Sequence, residues 1–357
     1  MGLAPMSARV RGPPQTGFGA RHTPPLPAVP SRVHTPFETE RLCANRPPSI
    51  MPLRALALRA FALFALLAVG APRAPLSAQP SRTTIVMLGT GTPIPDPDRA
   101  GPAVAIVVDS TAYVFDAGAG VVRRAAAAER SGVPALRAQQ LGHVFLTHLH
   151  SDHTMGLNDV IFTPWIQGRE TPLQVFGPPG TQRLVNGILD GNNEDIKERI
   201  ASAGGPSATA WKAAVHEITE GVVYRDARVT VRAFAVPHSA WPHAFGYKIT
   251  TPDRTIVISG DARANPAIAR ECNGCDVLIH EVYSDAGLQT VGAGRRPYHQ
   301  QAHTSATQLA DIATAAKPTL LVLYHQLVWK STDEQLLAEV RARYGGRVVS
   351  AKDLDKY

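Results

Sequence analysis

The chain has 357 residues, 44% of them apolar, 18% charged and 6% aromatic, which is enough to bury a core in one or two domains and excludes wholesale disorder, a collagen or a polytopic membrane protein. The formal net charge is +7, yet residues 1–78 carry nine arginines, no lysine and two glutamates, which leaves 27 basic against 27 acidic residues in the rest. A neutral body argues against sequence-independent binding of nucleic acid, which depends on neutralising phosphates with Lys and Arg.

In chain order, residues 1–50 hold ten of the 30 prolines and no helical or strand period, so they read as a disordered or mis-assigned N-terminal extension. Residues 51–78 read as a signal peptide: Met51 as start, Arg54 and Arg59 as a positive head, an apolar run over 60–70, and cleavage after Ala71 or Ala78. That run is shorter than the roughly 20 residues a spanning helix needs, so no membrane anchor is expected after cleavage, and a periplasmic or secreted protein is. Cys43 leaves with the leader, and Cys272 and Cys275 form a lone CxxC, open to a local disulfide or to two buried thiols.

Residues 79–357 are expected to form a single domain. Short β-branched or apolar runs bounded by Gly, Pro and Asp predict strands at 83–88, 103–109, 112–115, 144–147, 173–176, 229–235, 244–250, 255–259, 277–280 and 320–323. Helices fit 119–130, 181–189, 304–316 with Thr304 as N-cap, and 333–344. Residues 190–216 read as an exposed insertion. Hairpin-like strands early and alternating strands and helices later predict an α/β fold of two sheets with helices packed outside.

The strongest chemical signal is Thr147-His148-Leu149-His150-Ser151-Asp152-His153, at a corner where an apolar strand turns into a helix. Three imidazoles and a carboxylate in six residues are costly to desolvate without a cation. His238, Asp261 and His325 follow at the ends of other apolar strands. Together these are seven possible ligands, enough for two divalent ions with open positions, where a structural zinc needs four and leaves none.

In that order the residues resemble the metallo-β-lactamase fold superfamily, over nearly all of residues 83–357. The resemblance implies an αβ/βα four-layer sandwich with a dinuclear site, its ions most naturally Zn²⁺. It also implies that His148, His150 and His238 hold one ion, that Asp152, His153 and His325 hold the other, and that Asp261 bridges. Leu88-Gly89-Thr90-Gly91-Thr92-Pro93, Phe115-Asp116-Ala117-Gly118, Phe176-Gly177-Pro178-Pro179-Gly180, Ser259-Gly260-Asp261, His280-Glu281 and His303-Thr304-Ser305 look like the tRNase Z and secreted arylsulfatase branch. In tRNase Z a long arm that grips tRNA precedes the Ser-Gly-Asp turn, but here Lys248 reaches Asp261 without room for one.

The expected activity is therefore that of an exported, arylsulfatase- or phosphodiesterase-like hydrolase of small sulfate or phosphate esters, using a hydroxide bridging the ions, with a small-molecule ester expected as substrate ahead of nucleic acid and a homodimer as the form common in that branch. Asp152 would orient the nucleophile, His303 or His280 backed by Glu281 would protonate the leaving group, and Trp241 would touch substrate. Asp116 would brace the metal loop, and His243 and His299 would lie on an exposed rim. The alternatives are a tRNase Z-type endoribonuclease, a lactone or β-lactam hydrolase on the same site, and a non-catalytic zinc-binding protein.

Overall fold

A computed structural model describes residues 81–357; the expected extension, signal peptide and Cys43 lie outside these residues. The first sheet comprises β1 (Thr83–Gly89), β2 (Ala103–Val108), β3 (Thr111–Phe115), β4 (His143–Phe145), β5 (Leu173–Gly177) and β6 (Ala213–Glu217), in that spatial order. Between them run α1 (Val121–Arg130), α2 (Ser151–Thr154), α3 (Leu157–Ile166), α4 (Thr181–Gly191) and α5 (Asn193–Ala201).

The second sheet takes β7 (Gly221–Arg225), β8 (Thr230–Ala235), β9 (Phe245–Thr250), β10 (Thr255–Ile258), β11 (Val277–Tyr283), β12 (Leu320–Leu327) and β13 (Val348–Ser350), again in spatial succession. Its helices are α6 (Pro266–Cys272), α7 (Asp285–Gln289), α8 (Arg296–Ala302), α9 (Ala306–Ala316) and α10 (Asp333–Arg341). β7 to β10 are antiparallel, and β10 to β13 are parallel.

Strand alternation makes the four layers. In β1, Ile85 and Met87 point between the sheets and pack with Tyr247, Ile249, Ile279 and Val322, while Val86 and Leu88 point outward beneath α1 and α3. In β11, Val277 and Ile279 face the sheet interface, and Leu278 and Val282 lie under α6 and α9. Strands buried on both faces read as continuous apolar runs, and each fully buried Val, Leu or Ile stabilises by about 1.5–3 kcal/mol relative to exposure. The α/β sandwich expected from the sequence is the fold observed.

Local departures have identifiable causes. Residues 190–216 are no featureless insertion: they contain α5 and the start of β6, whose half-buried Ala213-Ala214-Val215 lacks a strong strand signature. The N-cap of α9 is Ser305, in a capping box with Gln308, because the Thr304 hydroxyl donates instead to the Ala262 carbonyl. β12 does not end at residue 323 but runs to Leu327, with His325 inside it. Cys272 and Cys275 are joined by a disulfide across 4.7 Å between Cα atoms, both side chains buried. Cys272 closes the last turn of α6, the end of a helix that disfavours a thiolate, so the bond staples a turn and is not placed for thiol exchange.

A candidate metal centre in the cleft

The loop leaving β4 curls because Asp116 holds it at several points. Asp116, itself in the left-handed region at φ 60°, accepts the Thr147 backbone N–H at 2.8 Å and the Nδ1–H of His153 at 2.9 Å. The Ala117 N–H donates to the His153 carbonyl, and the Gly156 N–H to that of Ala117. A Cβ on Gly156 would stand 2.2 Å from the Gly118 carbonyl oxygen, so the close approach of the two loops requires glycine. Asp116 thus braces the histidine loop, as its place in Phe-Asp-Ala-Gly predicts.

His238, His148 and His150 converge. His150 Nδ1 lies 3.0 Å from His148 Nε2 and 3.1 Å from His238 Nε2. The His238 Nδ1–H donates to the Ala302 carbonyl at 2.7 Å, which leaves Nε2 with a bare lone pair turned to the cluster. Asp261 joins these three, and its carboxylate is also 3.3 Å from His153 Nε2 and 3.5 Å from His325 Nε2. Asp152 lies 3.3 Å from His325 and 3.5 Å from His153. The ligand atoms of His148, His150, His238 and Asp261 lie within 4.8 Å of one another, as do those of Asp152, His153 and His325, and those of Asp261, His303 and His325.

His325 reaches this centre through a β-bulge. Glu281 pairs with Tyr324 and Val282 with Gln326, so His325 is an extra residue in β12, at φ 45°. A bulge re-aims one side chain without ending the strand. Its sequence signal was the apolar run before it, which located the histidine but not the device.

The donor set fits a cation. His153 Nε2 and Asp261 Oδ1 are buried without a hydrogen-bond partner. Among the described residues no Lys or Arg pairs with Asp116, Asp152, Asp261 or Glu281; their only cationic partners are histidines. Buried carboxylates uncompensated in this way are costly. Burial lowers the pKa of His148 strongly and of His238 more mildly, and brings His150 to about 4, so these imidazoles are neutral at pH 7 and offer lone pairs. Burial opposes charge on His153 too, but the Asp261 and Asp116 carboxylates outweigh it and raise its pKa well above the usual value; that position attracts positive charge. The groups are able to hold metal.

Around them, His303 Nδ1 is 3.3 Å from Glu281 and 3.8 Å from Asp261. Burial works against its protonation, and the Glu281 carboxylate overcomes this, raising its pKa. Glu281 also accepts the backbone N–H groups of Thr304 and Ala262. His280 follows the other phase of β11, with Leu278 and Val282 on the helix-covered face; its Nδ1–H donates to the Glu281 carbonyl, and it does not join the cluster. Trp241 lies against the histidines, its ring 5.0 Å from that of His150. His243 is exposed, as expected, but His299 is buried in α8, packed against Trp329 with ring centroids 4.9 Å apart; polar neighbours in the sequence concealed that helix.

Residues 111–326 match the model of the β-lactamase superfamily domain. Ribonuclease Z of Mycobacterium bovis is 32% identical over 277 residues, spanning 76% of this chain and 96% of the relative, and that of Mycobacterium marinum is 32% identical over the same length, covering 97% of the relative. The crystal structure of the short form of human tRNase Z superposes with a TM-score of 0.58 at 22% identity, over 77% of this chain and 98% of that one. The Mycobacterium relatives overturn the expectation of an arylsulfatase-like enzyme of small esters, and with it the preference for a small molecule over nucleic acid as substrate. The missing arm was misjudged as an objection. β9 and β10 are indeed joined by residues 251–254 alone, but an alignment covering 96% of the M. bovis protein leaves little room for a long arm there either. The chain belongs to the β-lactamase superfamily, as a metal-dependent hydrolase of ester bonds on the metallo-β-lactamase fold.

Proposed function

We propose that this protein is an endoribonuclease of the ribonuclease Z type, hydrolysing a phosphodiester bond in a tRNA precursor. The observation that carries the reading is 32% identity to Ribonuclease Z of M. bovis along 96% of that protein, and the convergence of the histidine and aspartate groups supports it. Neutrality of the body bears on binding by a broad basic surface, not on a cleft that gathers two divalent cations. Exposed Arg263, two residues beyond Asp261, and exposed Arg295, heading α8, add local positive charge.

In this reading His148, His150 and His238 would hold one divalent ion and Asp152, His153 and His325 the other, with Asp261 placed within reach of both groups. Bound there, the ions supply Lewis acidity and neutralise charge on the phosphoryl group. A mixed imidazole and carboxylate set suits zinc. Asp116 fixes the tautomer of His153, and the Ala302 carbonyl fixes that of His238. Asp152 orients the attacking water. His303, whose affinity for a proton is raised by the Glu281 carboxylate, would give a proton to the departing oxygen, and Trp241 would support a nucleotide. A tRNA transcript with a 3′ trailer tests the reading: the zinc-loaded protein should release the trailer, and chelator or His148→Ala should abolish release. Intact RNA after incubation with fully metallated protein overturns it.

We also propose that residues 79–357 form the hydrolase domain and that residues 51–78 direct export, in which case the tRNA-like RNA is met outside the cytoplasm; maturation of tRNA precursors in the cytosol goes instead with an uncleaved leader. The buried Cys272–Cys275 disulfide supports an oxidising compartment. Mass spectrometry of the protein from its native cell should show an N-terminus at 72 or 79; an intact leader on the mature protein rules this out.

A further inference from the structure

We infer that Tyr298 is the stacking platform for an unpaired nucleobase next to the scissile phosphate, at the rim of the metal centre and distinct from Trp241; this rests on the ribonuclease reading above. Large apolar side chains are mostly buried in this fold, yet Tyr298 is 46% exposed. It is held firmly, because α8 is pinned at its far end: the Ser239 N–H donates to the Gln301 carbonyl, and His238 Nδ1 donates to that of Ala302. His238 is therefore anchored to the same short helix that carries the platform.

From Tyr298 a series of ring contacts, edge-on at the first step and stacked after it, leads inward to the cluster. The Tyr298 ring lies 5.4 Å from that of His299, which lies 6.0 Å from His303, and His303 lies 5.8 Å from His325. His299 is buried, and neither ring nitrogen has a hydrogen-bond partner; it meets the rings of Tyr298 and Trp329 edge-on, which braces Tyr298 and leaves its exposed part free. Burial, and then the Asp261 and Asp152 carboxylates, raise the Tyr298 hydroxyl above the usual tyrosine range, in keeping with a ring beside the cluster. Trp241 stands at the His148–His150 side, 6.3 and 5.0 Å from their rings. Trp241 thus touches the histidine group directly, and Tyr298 connects to the cluster through His299 and His303, the latter beside both His325 and His238.

A phosphodiester seated across the centre carries one nucleotide to either side, and an aromatic face takes any base without reading its sequence. Arg295, exposed one helical turn before Tyr298, supplies a cation for the adjoining phosphate, which an uncharged aryl ester would not need. A paired base could not lie on the ring, so the cut falls in a single-stranded stretch.

The test uses the full-length protein, the trailer-bearing transcript and two versions of it, abasic at the nucleotide 5′ or 3′ to the cut. Wild-type protein should lose about tenfold in kcat/KM on one abasic RNA, as expected for one lost stacking contact. Tyr298→Ala should lose a similar factor on intact RNA and almost nothing further on that abasic RNA, while Tyr298→Phe stays near wild type and all variants keep their metal. Additive losses, a Phe variant as poor as Ala, or a wild-type enzyme indifferent to both abasic sites overturns the platform. The wild-type comparison needs no variant to fold. Failure of the wild type to cut intact RNA defeats the ribonuclease reading itself, and the platform with it.

Discussion

His153 donates its Nδ1–H to Asp116 at 2.9 Å, and that one bond decides which nitrogen faces the ligand cluster. Asp116→Asn keeps the size of the side chain and tolerates the left-handed backbone, but it puts an amide where two acceptor oxygens are needed. Zinc affinity should fall about 10- to 100-fold, read by competition with a chromogenic chelator. Unchanged affinity would show that the carboxylate shapes the loop and does not orient the imidazole.

Asp261 lies within 3.5 Å of His153 and His325 and also belongs to the group of His148, His150 and His238. Asp261→Ala should therefore empty both positions, whereas His148→Ala should lower metal content by about half, since each ion keeps its own imidazoles. Elemental analysis of dialysed protein distinguishes the two. Equal loss in both variants would mean that the ions bind as a unit and that Asp261 has no special place.

His303→Ala should retain metal and lose about 10²- to 10⁴-fold in rate on substrates with poor leaving groups, the usual contribution of general acid catalysis. On a p-nitrophenyl phosphodiester, whose leaving group needs no proton, the loss should nearly vanish. Comparable losses on both substrates would defeat the proton-donor role of the His303–Glu281 pair.

Gly260 precedes the aspartate that the two groups share. It sits at φ 59°, and a Cβ there would lie 2.6 Å from the Phe245 carbonyl oxygen. Gly260→Ala should destabilise the fold by about 1–3 kcal/mol, seen as a lower urea midpoint, and should cost metal affinity as Asp261 shifts. A variant as stable as the parent would show that β10 can move aside.

Asp253, in the β9–β10 turn, ties down the start of β1. Burial tends to raise its pKa, but bonds from Thr83, Ser81 and the Arg82 backbone outweigh this and hold it down to about 2. Its folded pKa is depressed, so its contribution is complete above the unfolded value of about 3.9 and declines as pH falls toward 2. The difference in urea midpoint between the wild type and Asp253→Asn should be constant from pH 7 to 5 and about half as large at pH 3. A difference that grows on acidification has the wrong sign for this account.

Much of the sandwich was legible because both sheets are covered on both faces, so Val104 to Val108 or Leu320 to Leu323 read as unbroken apolar runs. The cluster of histidines and aspartates was legible because its members follow such runs in the sequence. What stayed hidden depended on contacts distant in sequence. No local pattern shows that the Ala302 carbonyl receives His238, that His299 is buried under Tyr298, or that β11 alternation turns His280 away while Glu281 faces the cleft. Substrate choice was misread because whole-body charge and loop length were weighed as though they described the cleft.

The extra residue in β12 has a further implication for how this scaffold diversifies. Removing His325 would restore an unbroken ladder between β11 and β12, so a single codon deletion could silence the chemistry while leaving a well-folded sandwich with one cluster of ligands intact.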